Sequence, residues 1–296
     1  ILQAYMKYEL GVTGQAVSTI NRRFMCIRNF LKMLEQKRTL AVHATAEDLS
    51  DYAKDLLEHH VQAKGFNERI YSIGHFYKFM EVREYIPKMP FRIEYFQQKV
   101  LMVHHDRSVE EIVYMEVLKK LYLFPERLRC MFLHLWCLGL RASEVCTLKG
   151  NAYYQQGEDC WIQVYQVKMK NYKKIPIPRA LYQLMKIYLK KNEIQPEEFI
   201  FQNTKGGACL YDTFRRQMLK ACRENGIANG EYIFRSHDYR HTVATMFYDN
   251  EVSLQSIRDY LGHTYEEMTR QYIDFMPKKI AQANEEFFST QENSLA

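Results

Sequence analysis

Three short segments of the 296-residue chain concentrate side chains able to do chemistry. They are Leu138-Gly139-Leu140-Arg141-Ala142-Ser143-Glu144, His237-Asp238-Tyr239-Arg240-His241, and Leu261-Gly262-His263 with Tyr272 nine residues further on. Taken singly, each has an ordinary explanation. Arg141 follows the apolar run 131–140 and would suit a helix end, where a cation meets the negative end of the helix dipole. His237 and His241 stand four apart on one helical face with an acid between them. That spacing mimics the H-E-x-x-H zinc signature, except that the shorter Asp238 stands where the signature has glutamate. Gly262-His263 would serve as a helix stop, and Tyr272 is one of 22 tyrosines.

The elements that must position these residues belong to a chain with ample core material. At 47% hydrophobic and 26% charged, disorder as the main state is excluded. The balance of 41 Lys+Arg against 35 Asp+Glu, spread along the chain, suits a protein that meets polyanions. No stretch approaches the ~20 apolar residues of a membrane span, so no membrane partner is expected. Seven scattered cysteines, odd in number and never spaced C-x-x-C, argue against a disulfide framework and a cysteine zinc knuckle, and for a reducing cytoplasm. The first residue is Ile and no signal-peptide pattern follows, so a start trimmed ahead of Ile1 is the expectation.

Ile20, Phe24, Ile27, Leu31 and Leu34 recur at steps of four and three, which predicts a helix over about 16–36 with Arg22, Arg28 and Lys32 on its other face. Thr45 starts a second helix with Glu47 and Asp48 in its first turn, and a third runs over about 67–80. Pro87 and Pro90 end this helical unit, residues 97–107 read as a linker, and Ser108 with Glu110 and Glu111 opens a second domain. Helical material reaches about Lys149. A β-rich run over 160–167, the polar turn 168–173 and a short strand over 174–178 follow. Helices resume over 180–191 and 210–225, and again from Ser236 as N-cap.

Taken together, in this order and at these spacings, the motifs resemble the tyrosine recombinase family of phage-integrase and Xer-type site-specific DNA recombinases. The resemblance runs through residues 108–285 and, more loosely, through 1–96. It implies a mainly α fold with a small β-hairpin or sheet in the catalytic domain. The chain would form a two-domain DNA clamp, with 1–96 as helical core-binding domain, 97–107 as linker and 108–296 as catalytic domain. In such a domain the helix over 280–288 would be exchanged between protomers. The resemblance assigns the active site to Arg141, Lys168, His237, Arg240, His263 and Tyr272. Lys168 is chosen among Lys168, Lys170, Lys173 and Lys174 because it stands eight residues before Pro176. Glu144 receives no catalytic role, an i,i+3 surface pair with Arg141 being an equal reading. Arg22, Arg23, Arg28 and Lys32 are the candidate DNA-phosphate contacts of the first domain.

The implied chemistry suits these side chains. Two fixed guanidiniums, Arg141 and Arg240, would hold the non-bridging oxygens of a phosphodiester as charge develops on them. His237 and His263 would donate further hydrogen bonds or handle the nucleophile's proton. Tyr272, whose hydroxyl has an ordinary pKa of ~10, would be activated by the same cluster and attack, leaving a 3′-phosphotyrosine and a free 5′-hydroxyl protonated by Lys168. No metal, ATP or other cofactor is then required. The resemblance further implies double-stranded DNA with specific recombination sites, a homotetramer passing through a Holliday junction, an accessory directionality factor, and a cytoplasmic, nucleoid-associated setting. A mobile element's integration or excision is the expected task. The rival readings are a type IB topoisomerase, which rejoins the same strand as a monomer, and a DNA-binding regulator of the same fold without catalysis.

Overall fold

The computed structural model describes residues 1–100, 107–167, 169–263 and 269. Lys168, Tyr272, residues 101–106 of the expected linker and the expected exchanged helix over 280–288 lie outside the described residues. Contacts divide the chain into two units, Ile1–Val103 and His104–Ala296. The described secondary structure is mainly helical, with one small sheet, as the sequence led us to expect. No helix among the described residues is long and apolar enough to cross a membrane.

The first unit holds α1 (Leu2–Gly11), α2 (Val17–Gln36), α3 (Ala46–Glu58) and α4 (Ala63–Val82). On α2 the sequence period is realised through Ile20, Ile27, Phe30 and Leu34, which are buried. Thr45 caps α3 as expected: its Oγ1 accepts from Asp48 N, and Asp48 Oδ2 accepts from Thr45 N at 2.9 Å. The third helix begins four residues earlier than its periodicity announced, because Phe66 is buried one turn before Ile70. Edge-to-face aromatic pairs such as Phe30–Tyr52 and Phe76–Tyr77 fill the core between these helices.

The second unit runs α5 (Glu111–Lys120), α6 (Glu126–Leu138), α7 (Ala142–Cys146), β1 (Tyr153–Gln156), β2 (Asp159–Gln166), β3 (Asn171–Pro176), α8 (Arg179–Lys191), α9 (Tyr211–Glu224), α10 (Ser236–Asp249) and α11 (Leu254–Leu261). The strands form an antiparallel sheet in the order β1-β2-β3. Cys160, Ile162, Val164 and Gln166 alternate inward along β2. The β2–β3 turn is tighter than expected. Gln166 pairs with Asn171 and Tyr165 with Tyr172, so residues 171–173, expected in the turn, belong to the strand, which ends at Pro176. Ser108 does not cap α5; its Oγ lies 3.2 Å from Thr245 Oγ1, and Glu110 precedes the helix. Nor does Ser236 cap α10: Arg235 occupies the cap position and Ser236 is the buried first residue.

The apolar α6 runs through the core of this unit. His134, fully buried on it, bonds through Nδ1 to Cys130 O and through Nε2 to Tyr153 OH, which ties α6 to β1. Burial holds this histidine down to about 4, so it is neutral in the core. Helix α6 ends at Gly139, whose φ of 57° is left-handed. A Cβ there would stand 3.1 Å from Leu261 and 3.3 Å from Val243, so the close approach of α10 and α11 also requires glycine.

Candidate active site

Four of the six candidate active-site residues fall in the described part, and they come from the ends of three different segments. Arg141 caps α7 just after the α6 stop; His237 and Arg240 lie in the first turn and a half of α10; His263 follows the α11 stop at Gly262. Gly262 is left-handed at φ 68°, and a Cβ on it would lie 2.2 Å from Gln166 Nε2, at the base of the β2–β3 turn. The hairpin base and the peptide before His263 are therefore in direct contact.

Arg240 joins these segments from beneath. It is completely buried, donates from Nη1 to Gly139 O at 2.7 Å and from Nη2 to Leu261 O, and so ties the C-terminus of α6 to that of α11. Both acceptors are carbonyls at helix ends, which lack an intrahelical donor and carry the negative end of the dipole. Arg141 is fixed by Glu144. One carboxylate oxygen accepts from Arg141 N at 2.9 Å and the other from Arg141 Nη1 at 2.9 Å. The surface-pair reading of Glu144 is overturned, since its side chain is only 1% exposed. Burial alone would raise its pKa, but the Lys173 ammonium, the Arg141 N–H and the two guanidiniums outweigh it and hold the carboxyl below its ordinary value.

The histidines sit in a positive field. Burial, then the charges of Arg240 and Arg141, lower His263 to about 3, and its Nδ1 lies 3.1 Å from Thr269 Oγ1. His237 has its ring at the surface, and its pKa is lowered by partial burial and by Arg240, Arg141 and Arg107. His241 is buried edge-to-face against His237, with ring centroids 4.7 Å apart, and is pushed down to about 3 by burial and by His237. Neutral imidazoles beside two guanidiniums make a pocket built for an anion: the arginines supply charge, and the imidazoles supply donors and acceptors that an arriving phosphate would make more basic.

Sequence reasoning weighed Lys173 only as an alternative to Lys168 and missed Gln166 and Arg107. Lys173 lies 3.9 Å from Glu144, Gln166 Nε2 donates to Glu144 Oε1 at 3.5 Å, and Arg107 acts on His237, Asp238 and His241 through its charge. The signal for Lys173 was its two-residue offset from the apolar Ile175, which puts both on one strand face. In the first unit Arg28 and Lys32 are exposed, Arg22 pairs with Glu68 at 2.9 Å, and Arg23 is drawn to the buried Glu9 at 3.0 Å.

A helical unit is thus followed by a mainly helical unit that carries an arginine and histidine cluster at the C-terminal ends of α6 and α11 and the start of α10. Residues 110–278 match the model of the phage integrase family, and the chain belongs to that family, the one the motifs resemble. Transposase B from transposon Tn554 of Staphylococcus aureus is 27% identical over 299 residues, covering 95% of this chain and 46% of the transposase. The chain thus spans about half the length of that relative. Tyrosine recombinase XerC of Bacillus pumilus is 24% identical over 243 residues, covering 76% of this chain and 75% of the relative. Among solved structures, the XerH site-specific recombinase bound to a palindromic difH substrate in a post-cleavage complex superposes with a TM-score of 0.74. That match has 16% identity and covers 96% of this chain and 83% of the other, so the likeness is one of fold.

Proposed function

We propose that this chain is a site-specific DNA recombinase that cuts and rejoins duplex DNA through a covalent 3′-phosphotyrosine, serving the integration or excision of a mobile element. The observation that carries the reading is the convergence of Arg141, His237, Arg240 and His263 on one anion-ready cluster held by Glu144 and by the ends of α6 and α11. Arg141 and Arg240 bind the scissile phosphate and stabilise the charge that grows on its non-bridging oxygens. His237 and His263, neutral before DNA arrives, donate to those oxygens or take the Tyr272 proton.

Attack by the Tyr272 oxygen forms the P–O bond to the enzyme and breaks the bond to the 5′ oxygen, which leaves with a proton from Lys168. The phosphotyrosine keeps the ester for rejoining, and the reaction consumes neither ATP nor metal. The two units clamp duplex DNA, with Arg22, Arg28 and Lys32 following phosphates and Arg23 shared with Glu9. Four protomers on two sites exchange strands through a Holliday junction. An accessory factor sets direction, and the enzyme acts in the cytoplasm on the nucleoid.

The test is to incubate wild-type protein and Tyr272→Phe with nicked suicide duplexes built from the DNA flanking its gene, and to look for an SDS-resistant adduct. Wild type alone should form it. Salt-sensitive binding without an adduct would overturn the catalytic reading in favour of a regulator. Site-independent relaxation of plasmids would favour a topoisomerase, and an adduct persisting in the variant would move the nucleophile to another tyrosine.

A further inference from the structure

Lys173 is a buried lysine with an unusual set of neighbours. It stands on β3 directly opposite the fully buried Val164, and its side chain is only 10% exposed. Its Nζ lies 3.9 Å from Glu144 Oε2 and donates at 3.4 Å to the carbonyls of Tyr260 and Leu261, the last two residues of α11. Leu261 O also accepts from Arg240 Nη2, so two cations from different elements meet on one helix-end carbonyl. Two residues beyond it is His263. The ammonium therefore touches the carboxylate that clamps Arg141 and the peptide that aims His263, and it does so from the floor of the site.

A carboxylate this deeply buried needs compensating charge, and a buried ammonium needs acceptors. Each group supplies what the other lacks. With Lys173 gone, Glu144 either draws the Arg141 guanidinium wholly onto itself or takes up a proton and loosens its hold; both outcomes move Arg141 relative to Arg240. The α11 end would lose one of its two anchors at the same time. We propose that Lys173 is a positioning residue for strand cleavage: wedged between Glu144 and the C-terminus of α11, it holds Arg141 and His263 in register with Arg240. The proposal rests on the recombinase reading above and names a residue that acts through others, not on the DNA. Burial lowers Lys173 to about 8, with Glu144 opposing the shift and Arg240 and Arg141 adding to it, so the ammonium persists at neutral pH.

The experiment compares wild type, Lys173→Met, Glu144→Gln and the double variant Glu144→Gln/Lys173→Met. Gel shift gives duplex affinity, the nicked suicide duplex gives the rate of adduct formation, and thermal melting gives Tm. Lys173→Met should bind duplex within about threefold of wild type yet form adduct at least about 30-fold more slowly, the scale expected when reacting groups are misplaced by about an ångström. The double variant should regain at least about fivefold over Lys173→Met, because no bare carboxylate is left to capture Arg141, and its Tm should exceed that expected from adding the single losses. An adduct rate for Lys173→Met within about threefold of wild type would overturn the proposal, as would a double variant no faster than Lys173→Met. Parallel loss of binding, adduct and Tm without rescue would reduce Lys173 to a structural residue. Should wild type form no adduct, the recombinase reading itself fails, and the Tm cycle still decides the clamp: additive losses would show that Lys173 and Glu144 do not act as a pair.

Discussion

A lysine at position 240 would carry the same charge as Arg240 but on one nitrogen in place of a rigid fork. Arg240 reaches Gly139 O from Nη1 and Leu261 O from Nη2, and a single ammonium cannot occupy both positions, so Arg240→Lys should weaken the hold on one helix end at a cost of about 1–3 kcal/mol. Adduct formation should fall at least about 100-fold as the second phosphate donor is lost, and melting and suicide-duplex assays read the two effects separately. Gly262→Ala tests the neighbouring junction. Its φ of 68° is strained for alanine, and its Cβ would collide with Gln166 Nε2 at 2.2 Å. We expect a loss of about 2–4 kcal/mol and a displaced His263, against about 1 kcal/mol for Gly157→Ala, which is also left-handed but meets nothing within 4 Å. Urea melts of the two variants check the contrast. At this scale the motif-borne residues Arg141, His237, Arg240 and His263 were legible because their types and order are unusual. Glu144 and Lys173 were not, because whether a charged side chain points inward depends on a capping geometry and a strand register that one-dimensional spacing does not encode.

Long elements announced themselves and short ones did not. The twenty residues of α2 show five or six turns of apolar period, and α3 carries both its cap and its buried stripe in the sequence. Strand β1 has four residues with two glutamines, and α7 has five; neither is long enough for a period to show. Strand β1 is held by β2, paired from Tyr153 to Gln156, and α7 by its own Glu144 reaching back to the Arg141 N–H. Helix α1 escaped notice because only Tyr5 and Glu9 are buried on it. Thr45→Ala removes the reciprocal cap of α3 and should cost about 1 kcal/mol, seen as a lower Tm. Ser236→Ala, at a position first read as a cap, removes no cap bond and should leave the start of α10 intact by amide hydrogen exchange.

The whole molecule should be sensitive to mild acid. His134, His241 and His263 are held at about 4, about 3 and about 3 in the folded chain, each chiefly by burial. Unfolded, they titrate near ~6.5. The unfolded chain therefore binds more protons below that value, and the stability these groups contribute is complete above pH ~6.5 and is lost progressively as pH falls towards their folded values. Glu144, also lowered, adds a loss in the same direction at more acid pH. A series of melting curves should show Tm falling steadily from about pH 7 to about pH 4; a flat profile would contradict neutral buried histidines. Duplex binding, if the two units grip phosphates as proposed, should weaken steeply with salt.

The bond from Arg240 to the ends of two helices also bears on how such a chain could age. A side chain that staples α6 to α11 is retained by selection for folding even where selection for cutting DNA has lapsed. Its presence is therefore a poor witness to activity. His237, at the surface of the cluster, has no comparable hold on the fold, and descendants that have given up strand exchange should lose it first while still carrying Arg240 unchanged.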